Sequence, residues 1–350
     1  MAKVTIADIA REAGVAKSTV SRYFNGGYVR QETRDRIKAV VERTNFEPSA
    51  AAQNLKLKKT RIIGVVAPTM TSRSTGRLVE SLDRTLHERG YSCIVMTTDH
   101  DPQREIASIE YLRSMRVDGI LLIATTIGEE HQRLQKSSKI PFLVMGQNFT
   151  GGTSIVYNDY EAGRTIGEYA SSLGHHDIIY IGVSEVDEAV GRIRKKGVMD
   201  GLSDHSEVMN IMMEETTFSY EETRELVKDV LNVHIPDLFI CATDQMALAA
   251  WKEVRERGLR VPEDVSIIGF GGYETSKLLS PSMTTIRFEN ELAGQICAST
   301  LISMIEEQPV APLQTLGFHF QKGGSVSDLT RSIPSEHSEK KGASESASVH

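Results

Sequence analysis

The sequence predicts an α/β protein: an N-terminal three-helix helix-turn-helix head followed by two Rossmann-like α/β subdomains. Three observations carry this. Residues 1–45 hold three short helical patterns joined by tight turns, residues 61–329 alternate apolar runs with helical patterns, and charge is divided between these two parts. The chain has 350 residues, 40% of them apolar, which suffices for a sizeable core and two or three domains. Net charge is −7, yet residues 1–60 carry 12 Lys and Arg against 6 Asp and Glu, a net +6. The other 28 basic and 41 acidic residues leave the remainder at −13. A basic module on an acidic body suits a polyanionic partner, although a solvated charged face gives the same numbers.

The head opens on Thr5-Ile-Ala-Asp8, which has the form of a helix-starting capping box with Asp in the place of Glu. Ile6, Ile9, Ala10 and Ala13 then line one face at helical spacing. Gly14 supplies the backbone freedom for a tight turn, and Val15 plugs it. Ala16–Tyr23 reads as a second helix, Val20 inward and Lys17, Ser18, Ser21 and Arg22 outward; Asn25-Gly-Gly27 ends it. Thr33–Thr44 is a third, with Ile37, Val40 and Val41 inward. In the helix-turn-helix plan the second helix enters the major groove, where Lys, Ser and Arg near its start reach phosphates and base edges. The same pattern also fits a three-helix protein-interaction module. Residues 46–60 read as a hinge and linker, with Ser49 placed to cap a short helix over Ala50–Leu57. Such a helix is marginal alone, because isolated helices below about 12–15 residues rarely hold in water.

In the body, Ile62–Ala67 is an apolar strand, Gly76–Arg89 a helix stopped by Gly90, and Ser92–Thr97 the next strand. Asp101-Pro102 supplies an N-cap followed by Pro at the first helical position. Further apolar runs are Gly119–Ile123, Pro141–Met145, Ile178–Gly182, Leu238–Cys241 and Val265–Phe270, and helical patterns cover Ala162–Leu173, Glu221–Leu231 and Ala247–Arg257. Alternation of this kind implies parallel sheets covered on both faces, with ligands at the carboxyl ends of the strands. Two such halves joined at their edges make a cleft. From Thr330 the tail is rich in Ser, Glu and Lys without an apolar face, and disorder is expected over 330–350.

Several classes are disfavoured. The N-terminus has no apolar leader and no run reaches membrane length, so a cytoplasmic protein with no membrane partner is expected. Cys93, Cys241 and Cys297 are odd in number and widely spaced, which fits a reducing compartment and neither a disulfide framework nor a zinc site. His175-His176 lacks carboxylate or thiol company, and His175 reads as a satisfied residue at the start of a strand. There is no GxSxG, P-loop, metal cluster or recognisable carboxylate pair, and Gly269–Glu274 follows a strand without the GxGxxG spacing. No enzyme and no cofactor is expected.

The stretch Val4–Arg22 resembles the DNA-binding head of the lactose/galactose repressor (LacI/GalR) family of transcriptional regulators. Thr33-Arg34, Phe46 with Pro48, and Ala52-Gln53-Asn54-Leu55 continue the likeness in register, and it extends to about residue 325. The resemblance implies a repressor whose homodimer grips palindromic double-stranded operator DNA. It also implies a periplasmic-binding-protein-like body with three connections between its subdomains. A small-molecule effector, a sugar or sugar phosphate, is expected to release the DNA; the alternative is a corepressor that strengthens binding. A sugar-binding transport protein is opposed by the attached head and the missing leader. The residues assigned to DNA are Thr5, Lys17, Ser18, Thr19, Ser21, Arg22 and Asn25 in the head, and Ala52, Leu55 and Lys56 in the hinge, with Leu55 wedging into the minor groove. Two head positions depart from the family pattern: Ala16 stands where Ser or Thr is usual, and Arg30 where a capping Ser is common.

For the effector, Arg194 in Gly191-Arg-Ile-Arg-Lys-Lys-Gly197 matches the arginine that grips hydroxyls in the family, and a guanidinium fork suits that task. Thr243 and Asp244 stand at a strand end expected to face the cleft, Asp244 as either a helix N-cap or a hydroxyl acceptor. Gly271 and Gly272 replace the Asp-Asp of many members, and Gly146 falls where some carry a ligand Asp. That carboxylate is therefore missing, and Tyr273 or Glu274 is expected to compensate. Arg73 and Asn148 lie in loops expected to border the cleft. A β-fructoside or glucoside is the expected effector. The tail lacks the leucine heptads of a helical tetramer bundle, so a dimer is expected.

Overall fold

A computed structural model describes residues 4–24, 26–46, 59–203 and 210–332. The chain divides into two compact units, Met1–Arg61 and Ile62–His350.

The first unit contains α1 (Ile6–Glu12), α2 (Lys17–Phe24) and α3 (Gln31–Thr44). The capping box forms as the sequence requires: Thr5 Oγ1 accepts from the Asp8 amide at 3.3 Å, and Asp8 Oδ2 accepts from the Thr5 amide at 3.0 Å. Gly14 takes the left-handed conformation at φ 64° between α1 and α2. Ile9, Ala10, Ala13, Val20, Val29, Ile37 and Val40 close a small core. Helix α3 starts two residues before the apolar pattern does, because Gln31 and Glu32 extend it on an exposed side. Arg30 at its N-cap makes no side-chain capping bond. The hinge segment Ala50–Leu57 lies outside the described residues.

The second unit has two lobes. In the first, β1 (Ile62–Ala67), β2 (Ser92–Thr97), β3 (Gly119–Ile123), β4 (Phe142–Met145), β5 (Thr153–Tyr157) and β11 (Leu313–Leu316) pair in the order β11-β5-β4-β3-β1-β2, all parallel. Helices α4 (Arg73–Glu88), α5 (Pro102–Ser114), α6 (Glu129–Ser137) and α12 (Asn290–Ile305) accompany this sheet. The second lobe repeats the plan. There β6 (Asp177–Gly182), β7 (Asn210–Glu215), β8 (Leu238–Cys241), β9 (Ser266–Gly271), β10 (Thr284–Phe288) and β12 (Phe318–Gln321) run β12-β10-β9-β8-β6-β7, and only β12 is antiparallel. Its helices are α7 (Asp159–Ser172), α8 (Lys195–Ser203), α9 (Tyr220–Val233), α10 (Asp244–Glu256) and the short α11 (Glu274–Leu278). Buried aliphatic strands such as Ile63–Val65 and Ile178–Ile181 form the cores. Each half keeps the doubly wound order in which the second strand lies outside the first, so the switch point falls between β1 and β3 and again between β6 and β8.

The sequence reading did not assign β5, β7, β10, β11 and β12. Strand β7 is a sheet edge with mostly exposed side chains, so it carries no continuous apolar run; β11 and β12 are also edges. Strands β5 and β10 mix Thr, Ser and Arg into their runs, and pairing with neighbours defines them.

The chain crosses between the lobes after β5, after β10 and between β11 and β12, three times among the described residues. The first two crossings are tied together: Tyr157 Oη donates to Asn290 Oδ1 at 2.6 Å, and the Tyr157 and Phe288 rings lie 4.8 Å apart. A 3-10 turn over Leu329–Ser332 follows, its Leu329 amide donating to the Leu173 carbonyl at 2.9 Å. The rest of the tail, 333–350, lies outside the described residues.

Candidate functional site

Two surfaces carry candidate function, one in each unit. On α2, Lys17, Ser18 and Arg22 are exposed, and Thr19 and Ser21 are half-buried. Val20 is fully buried and fixes which face the helix turns outward. Helix α2 contains two cations and no acid. The Ala16 carbonyl accepts from the Val20 amide, but alanine has no side-chain oxygen to satisfy the first free amides. Thr5 is exposed with its hydroxyl committed to Asp8 at 2.6 Å. Tyr28, 83% exposed in the loop before α3, is an outward aromatic that periodicity did not flag.

In the second unit a cavity of about 210 Å³ lies between the lobes at the carboxyl ends of the strands. The first lobe lines it with Ser72, Ser74 and Thr75 at the start of α4, with Thr125 after β3, and with Gly146 and Gln147 after β4. The second lobe supplies Asp187, Arg194, Thr243, Phe270, Gly271 and Tyr273, and the crossing segments supply Tyr157, Asp159 and Phe288. Arg194, only 6% exposed, is at the centre of the electrostatics. Its Nε and Nη2 donate to Asp159 Oδ1 at 2.9 and 2.5 Å, and its Nη1 donates to the Ala242 carbonyl at 2.6 Å. The guanidinium also lies 5.0 Å from the Phe270 ring centre and 5.1 Å from that of Phe288. Burial pushes the Asp159 carboxyl above the usual carboxylate range, while the Arg194 charge and hydrogen bonds draw it back.

Helix packing delivers this pair. Gly163 and Gly167 on α7 face Gly197 and Gly201 on α8, each pair one helical turn apart. A Cβ at Gly163 would lie 2.2 Å from the Arg194 carbonyl, and one at Gly197 would lie 2.1 Å from the Tyr160 carbonyl. The backbones therefore approach closely enough to bring Arg194 against Asp159 at the first turn of α7. Arg194 itself ends a π-helical stretch, Glu188–Arg194, that leads into α8.

The comparisons with known proteins identify the family and the fold. Residues 5–49 match bacterial regulatory proteins of the lacI family, and residues 168–326 match a periplasmic binding protein-like domain. The sucrose operon repressor of Staphylococcus xylosus is 34% identical over 306 residues, covering 87% of this chain and 95% of that relative. This chain belongs to the lacI family of bacterial regulatory proteins. The transcriptional repressor PurR of Mannheimia succiniciproducens is 29% identical over 321 residues, covering 90% and 96% of the two chains. The structure of the lac repressor dimer bound to operator and the anti-inducer ONPF superposes with a TM-score of 0.85 at 25% identity, over 93% of this chain and all of that one. As a lacI-family member the protein is a DNA-binding transcriptional regulator and not an enzyme. Among the described residues no helix is long and apolar enough to cross a membrane.

Within the lacI-family framework the expected effector residues divide. Arg194, Thr243, Gly271 and Tyr273 line the cavity. Asp244 does not, which corrects its expected place facing the cleft. The helix cap is Thr243, whose side chain accepts from the Met246 amide, and Asp244 is fully buried at the first helical position. Its carboxylate is consumed internally by Ser276 Oγ at 2.6 Å, Thr285 Oγ1 at 2.5 Å and the Tyr273 amide at 3.0 Å. Arg73 and Asn148 are exposed and outside the lining; their neighbours Ser72, Ser74 and Gln147 line it instead. Arg73 opens α4 rather than lying in a loop, and Asn148 follows β4; which side chain turns inward there depends on local backbone geometry. Tyr273 hydrogen-bonds Ser74 across the cleft at 3.1 Å. Glu274 is exposed and pairs with Arg77, so it does not replace the missing carboxylate. His175 is satisfied as expected: buried, its Nδ1 donates to the Ala170 carbonyl at 3.2 Å and its Nε2 accepts from Ser266 Oγ at 3.0 Å. Asn25, Ala52, Leu55 and Lys56 lie outside the described residues. Sequence reasoning missed Asp187 and Gln147 as members of the cleft; they are 40 residues apart, and only the meeting of the lobes brings them together.

Proposed function

We propose that this regulator represses a sugar-utilisation operon in the cytoplasm, and that a small sugar entering the interlobe cavity releases its homodimer from a palindromic operator. The observation that carries the reading is Arg194, a buried guanidinium on the wall of a cavity fed by hydroxyl-bearing side chains. The likeness to a sucrose operon repressor supports the sugar, and the likeness to an operator-bound lac repressor dimer supports the assembly. Thr5, Lys17, Ser18, Thr19, Ser21, Arg22 and Asn25 are assigned to the major groove and backbone, and Ala52, Leu55 and Lys56 to the operator centre. Effector closes the cleft and turns the lobes, and a coupling of about 1–3 kcal/mol changes operator affinity about 5–150-fold.

Fluorescence anisotropy on the protein's own upstream DNA at fixed salt, with a panel of sugars, tests this. Tight binding to a short palindrome released by one sugar is the expected result. Binding that only strengthens with ligand makes the protein corepressor-dependent, and absence of specific binding overturns the proposal. Leu55→Ala is expected to weaken operator binding at least tenfold with effector binding intact; unchanged operator affinity removes the wedge role from Leu55.

A further inference from the structure

Asp187 is a carboxylate on the cavity wall that the family pattern did not flag. It stands just before the π-helical stretch, and Oδ1 accepts from the Val190 amide at 3.0 Å and from Gln147 Nε2 at 3.4 Å. Both bonds end on the same oxygen; Oδ2 takes no hydrogen bond among the described residues. The Gln147 side chain, 3% exposed, reaches from the opposite lobe and also donates to the Thr125 carbonyl at 2.7 Å. Asp187 lines the 210 Å³ cavity and also an adjoining space of about 600 Å³, so it sits where the two meet. His100 and Phe218 line both spaces as well, and their rings stack across the lobes with centres 6.0 Å apart.

Charge narrows what this junction accepts. Arg194 is the one Lys or Arg among the described lining residues of the two spaces, and its donors are largely committed to Asp159 and Ala242. Asp187, Asp99 and Glu221 also line them; Glu221 pairs with Arg224 at 3.6 Å, and Asp187 feels the Arg194 charge. An ionised carboxylate only accepts hydrogen bonds, so it rewards hydroxyl donors and repels phosphate. Burial, the largest influence on Asp187, holds its carboxyl above the usual range.

We propose that Asp187 replaces the carboxylate missing at Gly146 and Gly271 as the effector's hydroxyl acceptor, and that it selects an uncharged saccharide long enough to reach from one space into the other. The inference rests on the sugar reading above and deepens it. Two faces of the ligand are then specified: hydroxyls against Asp187 and Gln147, and ring C–H groups against the His100–Phe218 stack.

Calorimetric titration of the full chain with sucrose, cellobiose, glucose, fructose and glucose 6-phosphate tests it, on wild type, Asp187→Asn and Asp187→Ser. Both substitutions keep an oxygen able to cap Val190, so the loop is retained, and melting temperature checks this. The expected result is binding of a neutral disaccharide at least tenfold tighter than of glucose 6-phosphate, weakened at least tenfold in both variants. In Asp187→Asn the discrimination against the phosphate should also shrink. Unchanged affinity in both variants, or preference for the phosphate in wild type, overturns the proposal while the sugar reading stands. Failure of every sugar to bind overturns both.

Discussion

Arg194 commits three of its five N–H groups to the protein. Nε, one Nη1 hydrogen and one Nη2 hydrogen serve Asp159 and Ala242, which leaves one hydrogen on each terminal nitrogen for a bound hydroxyl. The pair is almost sealed, with side chains 7% and 5% exposed. Arg194→Met should therefore do two things at once. It should abolish effector release of the operator, and it should leave Asp159 buried without a partner at a cost of about 3–5 kcal/mol. Thermal melts and sugar titration measure the two effects, and an unchanged melting temperature would deny Arg194 its structural half. Arg194 was legible in the sequence through its family segment. Asp159 as its partner was not, because 35 residues separate them and only the folded helices join them.

At the scale of elements, the contact between α7 and α8 decides whether that arginine reaches its place. The glycines at 163, 167, 197 and 201 leave no room for a Cβ, since the nearest obstacles are backbone carbonyls rather than flexible side chains. Gly197→Ala should destabilise the second unit by about 1–3 kcal/mol as the helices are forced apart. Effector affinity should fall with it, because Arg194 rides on the same backbone. A melt accompanied by calorimetry checks this, and a wild-type affinity in the variant would separate the packing from the site. Helix α7 starts three residues before the helical pattern at Ala162, since Asp159, Tyr160 and Glu161 look like a polar loop in sequence and Asp159 is buried only in the fold. The edge strand β7 was missed for the related reason that an exposed strand need not carry an apolar run.

Across the second unit as a whole, the two lobes touch over the cleft through Ser74–Tyr273, Gln147–Asp187, Arg77–Glu274 and the His100–Phe218 stack. These contacts bias the relative position of the lobes, and under the proposed function an effector acts by changing that bias. Tyr273→Phe keeps the ring and removes one hydrogen bond worth about 0.5–1.5 kcal/mol. The sugar concentration that half-releases operator should then shift by up to about tenfold. Anisotropy titration reads that midpoint directly, and an unmoved midpoint would show that this bond does not contribute to the lobe equilibrium.

The sequence by itself determined the helix-turn-helix head, the two α/β halves and the family. Those features rest on local signals: a capping box, apolar periodicity, turn glycines and contiguous motifs. It also pointed to the segments around Arg73 and Asn148, whose neighbours line the cavity. Only the tertiary structure decided which side chains around the cleft face inward. Asp244 turned into the protein because Ser276, Thr285 and the Tyr273 amide, all distant in sequence, converge on it. Asp187 and Gln147 turned toward the cavity because the two lobes meet there. A buried carboxylate needs its partners in place, and partners brought together by folding leave no periodic trace in the chain.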